Sequence, residues 1–244
     1  MTKIIDKDRF YYNPEFLGSA SGRSVRILSE YYGPLQRMQR KRISDTIVFF
    51  GSARILAREV AQDALDNAPK DSDKQSLKRL KMDLKMSRYY EDARTLAGKF
   101  TKWSKGLKGT KHRYIICSGG GPGIMEASNR GASEAGGVNV GLTILLPNES
   151  SGNKWISDDL DMKFHYFFMR KFWFLYLAKA LIVWPGGFGT LDELMELLTL
   201  IQTEKIKKRL PIVLYGKEFW EKVVNWDYLV DIGTISPEDL DLFH

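Results

Sequence analysis

A single carboxylate, Glu193, closes the stretch Trp184-Pro185-Gly186-Gly187-Phe188-Gly189-Thr190-Leu191-Asp192-Glu193, where proline and glycines are crowded between an apolar run and an amphipathic segment. Glycines let a backbone turn tightly and approach a ligand closely, and a helix that follows offers unpaired N–H groups and a positive dipole end. Such a turn suits an anion, phosphate above all. The same letters have a structural reading, because Thr190-Leu191-Asp192-Glu193 fits a capping box with Thr190 at the N-cap and Glu193 at N3. A carboxylate beside a phosphate-binding turn could instead face a bound sugar, stabilising positive charge in a transition state or orienting water.

A second glycine loop, Ser118-Gly119-Gly120-Gly121-Pro122-Gly123, is followed by Glu126, which reads either as a complement to a helix dipole or as a ligand contact. Neither loop completes the dinucleotide fingerprint: its last glycine would fall on Ile124 or Glu126 in one loop and on Asp192 in the other. Walker A spacing is absent as well. Mononucleotide or sugar-phosphate binding remains, set against simple tight turns. Two further groups carry charge or hydroxyls to such a site. Gly51-Ser52-Ala53-Arg54 leaves a short β-branched and aromatic run, and Arg170-Lys171 lies between an aromatic cluster and an apolar helix face. An arginine against phosphate or ribose offers a planar set of donors that lysine cannot copy, although an Arg-Lys pair is as readily a solvated surface feature. His165 and Cys117 read as structural.

The elements that must hold these groups follow from periodicity. Strands are expected at Thr46–Phe50, Tyr114–Cys117, Val138–Leu146 (closed by Pro147), Met162–Phe167, Ala180–Trp184 and Pro211–Tyr215. Helices are expected over Tyr89–Phe100, from Pro122 to a stop at Gly136-Gly137, over Phe168–Ala178, after Thr190, and over Lys217–Val230. A short last helix follows Ser236 as N-cap. Lys74–Arg88, after a break at Asp71-Ser72-Asp73, reads as an inserted solvent-facing helix, with a nucleic-acid surface as the other reading. The polar loop 148–161 has the length of a lid or a subunit contact. Strands alternating with helices predict an α/β fold, a doubly wound, mostly parallel, Rossmann-like sheet with helices on both faces. Ligands bind such sheets at the carboxyl ends of the strands near a switch point, where both glycine turns and Ser52 would lie.

Composition sets wider bounds. With 244 residues and 43% hydrophobic content, the chain can build one sizeable core, expected over residues 44–244, with residues 1–43 as an extension on or beside it or a partly ordered tail. The net charge of +7 fits nucleic acid, an anionic substrate or mere solubility. One cysteine excludes a disulfide framework within the chain, and with only His112, His165 and His244 a zinc cluster is not expected. No apolar leader is visible near Lys3, Asp6, Lys7 and Asp8, and the longest apolar run, Phe172 to Trp184, holds Lys179 and is too short to span a bilayer. A cytoplasmic protein without a membrane partner is the expectation.

Together, Ser118-Gly-Gly-Gly-Pro-Gly-Ile-Met-Glu126, Met169-Arg170-Lys171 and Pro185-Gly-Gly-Phe-Gly-Thr-Leu-Asp-Glu193 resemble the LOG (Lonely Guy) family, over roughly Thr46 to Ser236. The resemblance implies cofactor-free hydrolysis of the N-glycosidic bond of a nucleoside 5'-monophosphate, giving free base and ribose 5-phosphate. It assigns catalysis to Arg170 and Glu193. Gly186, Gly187, Gly189 and Thr190 would hold phosphate, Thr199 matches a further family threonine, and Gly51-Ser52 would join the nucleotide pocket. Gly119, Gly120, Gly121, Glu126 and Lys171 complete the expected substrate-binding set. The old decarboxylase label of this family finds no support, since no lysine has the surroundings of a pyridoxal phosphate Schiff base. Plant members usually carry glycine where this chain has Glu126, so the nucleotide need not be a cytokinin. The family tends to dimers or larger assemblies, which implies a homo-oligomer. A non-catalytic carrier or sensor of a nucleotide-like ligand is the alternative, with a nucleic-acid binder behind it.

Overall fold

Thr46–Phe50 is hydrophobic at every position after Thr46, and each of its residues is buried, the mark of a strand covered on both faces. In the computed structural model, which describes residues 9–109, 112–145 and 152–244, this strand (β1) lies at the centre of the sheet. The other strands are β2 (Ile115–Ser118), β3 (Asn139–Ile144), β4 (Asp161–Phe164), β5 (Ala178–Val183) and β6 (Ile212–Leu214). Their order is β4-β3-β2-β1-β5-β6, and every pairing is parallel.

Alternation along β1 splits the core in two. Ile47 and Phe49 face a cluster containing Tyr89, Tyr90, Ala93, Ala97, Ile124 and Ala127. Val48 and Phe50 face the other, with Trp173, Phe174, Leu194 and Leu197. The first face is therefore covered by α4 (Lys74–Lys105) and α5 (Ile124–Glu134), with α3 (Arg58–Asp66) packed on α4. The second is covered by α6 (Phe167–Tyr176) and α7 (Phe188–Gln202). Short elements complete the chain: a 3-10 turn (Phe10–Tyr12) and α1 (Pro14–Gly18) at one end, and α8 (Lys217–Val223), α9 (Trp226–Asp231) and a 3-10 helix (Pro237–Leu242) at the other. The doubly wound parallel sheet expected from the sequence is the sheet observed.

Residues 23–40 form α2 (Arg23–Arg40), which joins the second face. Met38 is buried in its core, and Ile27, Tyr31 and Leu35 pack against it. Glu30 ties α2 to α6: its carboxylate accepts from the N–H groups of His165 and Tyr166 at 2.7 and 3.2 Å, and its carbonyl accepts from Trp173 Nε1 at 2.9 Å.

Several boundaries differ from expectation. Lys74–Arg88 and Tyr89–Phe100 are one unbroken helix, begun by Asp73, whose carboxylate accepts from the N–H groups of Gln75 and Ser76. Its buried positions start only at Ser87, so the first half is solvent-facing as expected, and no glycine or proline stands at the junction of the two stretches. Lys217–Val230 is two helices: Val224 is extended, and the Asn225 side chain accepts from the Tyr228 N–H to start the second. Pro122 precedes the helix instead of opening it, since Gly123 is the N-cap of α5. The helix expected over Phe168–Ala178 ends at Tyr176, and Ala178 already belongs to β5. Leu146, Pro147 and residues 148–151 of the polar loop lie outside the described residues, as do residues 1–8. Among the described residues, no helix is long and apolar enough to cross a membrane.

Candidate active site

The strand order reverses between β1 and β5, so the two chains leave the sheet there in opposite lateral directions and open a crevice between their exits. Three exit loops are stitched together around it. The N–H of Ser52 donates to the Pro185 carbonyl at 3.1 Å, and that of Ile124 donates to the Ser52 carbonyl at 3.0 Å. The Ser52 hydroxyl accepts from the Arg54 N–H at 3.0 Å. Such close approach demands glycine at particular positions. Gly123 has φ +69°, and a Cβ there would lie 2.3 Å from the Ser52 carbonyl oxygen. A chain of buried amides holds the second glycine loop from behind: Asn129 bonds Ser118 and Asn139, while Asn153 donates to the carbonyls of Gly120 and Gly121 at 3.1 Å.

The crevice is a cleft of about 620 Å³. Of the residues expected at the site, Gly51, Ser52, Gly119, Gly121, Arg170, Gly187, Gly189, Thr190 and Glu193 line it. The helix α7 opens into it with Gly187 as N-cap, and no side chain among the described residues caps its first turn. The capping box expected at Thr190–Glu193 is therefore not formed. The helix starts at Phe188, which puts Thr190 at the third helical position and carries Glu193 into the second turn, where its side chain faces α6. Among the described residues no side chain caps the N–H groups at Gly187–Gly189, and with the positive helix end they make an arrangement able to hold an anion.

Arg170 and Glu193 meet across the cleft wall, with Arg170 Nη2 3.4 Å from Glu193 Oε1 and side-chain exposures of 14% and 9%. Phe167 and Phe174 flank the guanidinium, their ring centres 5.5 and 5.4 Å from Arg170 Cζ. Burial pushes the Glu193 carboxyl above its ordinary range, and the charges of Arg170 and Lys171 pull part of the way back. Burial likewise lowers the Arg170 guanidinium, with Glu193 opposing. Arg170 Nε is buried and has no partner among the described residues, so a donor remains at the cleft wall.

Five expected residues are not brought to the cleft. Glu126 accepts from the Tyr90 hydroxyl at 2.9 Å, between α5 and α4. Lys171 turns the other way along α6 and pairs with Asp192 at 2.8 Å and with Glu196. Thr199 is exposed, its hydroxyl donating to the Met195 carbonyl at 2.8 Å. Gly120 (φ +73°) packs on Thr143, and Gly186 packs on Thr190, where a Cβ would lie 2.1 Å from the Thr190 hydroxyl. Conversely, the cleft uses Met125, Thr143, Phe167, Phe174 and Phe188, which sequence reasoning passed over. Phe188 carried a signal: an aromatic between two glycines at a turn has no core to enter, and it is 93% exposed. Among the described residues, no group of three or more His, Cys, Asp or Glu side chains could hold a metal.

Residues 125–244 match the protein family described as possible lysine decarboxylase. A pyrimidine/purine nucleotide 5'-monophosphate nucleosidase of Escherichia coli K12 is 30% identical over 115 residues, covering 41% of this chain and 24% of that protein. A cytokinin riboside 5'-monophosphate phosphoribohydrolase of Arabidopsis thaliana is 28% identical over 125 residues, covering 50% of this chain and 56% of that protein. The chain thus spans about a quarter of the bacterial relative's length and just over half of the plant one's. Among solved structures, a Moco carrier protein from Chlamydomonas reinhardtii aligns over 82% of this chain and 88% of that one at 18% identity, with a TM-score of 0.37.

Proposed function

From the relation of residues 125–244 to the LOG family, we propose that this chain is a nucleosidase acting on nucleoside 5'-monophosphates. Water replaces the base at the ribose C1', giving free base and ribose 5-phosphate. The observation that carries the reading is the buried Arg170–Glu193 pair beside the uncapped start of α7, in one cleft.

The division of labour follows from charge. The 5'-phosphate docks on the N–H groups of Gly187–Gly189, with the Thr190 hydroxyl behind them. Binding energy gathered there, remote from the bond that breaks, is available to position the ribose. As the C1'–N bond lengthens, positive charge builds on the sugar ring, as in glycoside cleavage. Glu193, held as a carboxylate by Arg170, stabilises that charge and orients the attacking water. Arg170 donates toward the nucleotide from its remaining N–H groups. The rings of Phe167, Phe174 and Phe188 offer flat apolar faces to the base.

Chromatography of a nucleotide panel incubated with wild type, Glu193→Ala and Arg170→Ala tests the reading. Base release by wild type alone, with all three proteins folded, is the expected result. Calorimetric binding of AMP with no turnover would favour the carrier alternative, and inertness toward every nucleotide with no binding would end both.

A homo-oligomer belongs to the same proposal. Phe168 and Tyr176 on α6 are 51% and 48% exposed and Phe188 at the start of α7 is 93% exposed, apolar surface that a second copy would cover. Light scattering after size exclusion should give a mass above that of the 28.0 kDa chain, and a monomer would remove this part of the proposal.

A further inference from the structure

Charge in the main cleft is not balanced. The ionisable side chains of its described lining are Arg54, Arg170 and Glu193. Arg170 and Glu193 pair with each other. Arg54 is exposed, its guanidinium has no partner among the described residues, and the chemistry proposed above gives it no task.

The root of this side chain is fixed. The Arg54 N–H donates to the Ser52 hydroxyl at 3.0 Å, and the Ser52 N–H donates to the carbonyl of Pro185, two residues before the N-cap of α7. From the other side Gly123 presses on the turn, so that a Cβ there would lie 2.9 Å from the Ala53 Cα. The turn is thus gripped by the β5 exit and by the start of α5, and it carries Arg54 into the cleft that α7 opens into. Ordering one side chain on a held backbone is a small cost of binding. On the α4 side the same turn borders a smaller cavity, whose carboxylate, Asp83, is already paired with Arg79 at 3.0 Å. It does not compete for Arg54.

A phosphate monoester carries roughly two negative charges at neutral pH. The start of α7 answers with about half a positive charge and with neutral N–H donors. We propose that Arg54 is a further substrate-binding residue, which holds the 5'-phosphate between its guanidinium and the start of α7. The proposal rests on the nucleotide reading of the cleft. Arginine suits the role because its planar fork binds two phosphate oxygens at once. Phosphate recognition then belongs jointly to the exits of β1 and β5, the two strands between which the sheet order reverses.

Calorimetric titration of AMP into a Glu193→Gln protein, where turnover should be blocked, tests the contact, with Arg54→Gln and Arg54→Lys added to that parent singly. Each titration is run at low salt and at about 0.5 M KCl, where the Debye length falls to about 4 Å. Arg54 is exposed, and a melting curve for each protein confirms folding. At low salt Arg54→Gln should weaken AMP by about ten-fold or more, the order for losing a hydrogen bond to a charged group, and its affinity should respond less to salt than the parent's. Arg54→Lys keeps the charge without the fork, so it should keep the parent's salt response at an intermediate affinity. AMP bound equally well by Arg54→Gln and the parent, or bound more weakly with the salt response unchanged, overturns the phosphate contact and leaves the nucleotide reading intact. Absence of AMP binding to the parent and to wild type overturns the two together.

Discussion

At the scale of single residues, the candidate site turns on how a buried carboxylate and a buried guanidinium share one wall. If Glu193 works as a carboxylate, activity must rise with pH as that group loses its proton. Burial has raised its titration, so the acid limb of the kcat/KM profile should lie above the range of an ordinary glutamate. Lys171 gives a cleaner handle than Arg170, because it lowers the Glu193 titration through its charge while its own side chain pairs with Asp192 and Glu196 away from the cleft. Removing a positive charge favours the protonated acid, so Lys171→Met should move the acid limb to higher pH, and a limb that stays in place would dissociate Glu193 from the step. Glu193→Gln keeps the shape and a hydrogen-bond acceptor for Arg170 but loses the charge. It should lower kcat by about 100-fold or more, the order seen when one transition-state stabiliser is removed. This pairing was only half legible in the sequence. Arg170 and Glu193 could be picked out by motif, but the local letters Thr190 to Glu193 also spelled a cap. Only the start of α7 at Phe188 decides which role the side chain plays. Lys171 shows the same limit in reverse, because neighbours in sequence on a helix point about 100° apart, and one of the pair had to leave the site.

Elements act on the site by where they begin. Among the described residues no side chain caps the first turn of α6, and Glu30 of α2 instead fixes the chain just before it, accepting from the N–H groups of His165 and of the N-cap residue Tyr166. Glu30→Ala should cost about 1 to 3 kcal/mol, as loss of hydrogen bonds to a charged acceptor does, read by denaturant unfolding. Because α6 carries Arg170, kcat should fall as well, and unaltered kinetics would show that α6 is held by packing alone. Gly123→Ala meets two penalties at once, a positive φ and the Ser52 carbonyl, so a drop in melting temperature together with weakened AMP binding is expected. The strands and the packed helices were legible because their periodicities are strong and burial on both faces leaves little freedom. Element ends were not. The join within α4 is not marked by periodicity, since Leu77, Leu80 and Leu84 already follow helical spacing and no breaker separates them from the stretch that begins at Tyr89. The division at Val224–Asn225 depends on one side-chain cap. The aromatics Phe167 and Phe174 were readable as apolar helix positions, but not as flanks to Arg170.

For the whole molecule, the site belongs to no single segment. Its walls come from the exits of β1, β2 and β5 and from the start of α6, so a ligand bound there holds both halves of the sheet. A nucleotide at a hundred times its Kd should add about 2.7 kcal/mol to stability. In a chain of this size that corresponds to a rise in melting temperature of about 2 to 4 °C per kcal/mol, and a melting curve indifferent to AMP would count against nucleotide binding. The central pairing has a temporal side too. Thr46 lies in register with Ala178 and its N–H donates to the Leu177 carbonyl at 2.9 Å, so the cleft exists only after distant stretches of chain have found each other. Closing so long a loop is entropically costly before any contact rewards it, and parallel pairing of this kind is slow. During refolding, helical signal should therefore return before the ability to bind nucleotide. A chain leaving the ribosome would have no complete cleft until α7 had followed β5 out, since the residues from Gly187 to Glu193 form one of its walls.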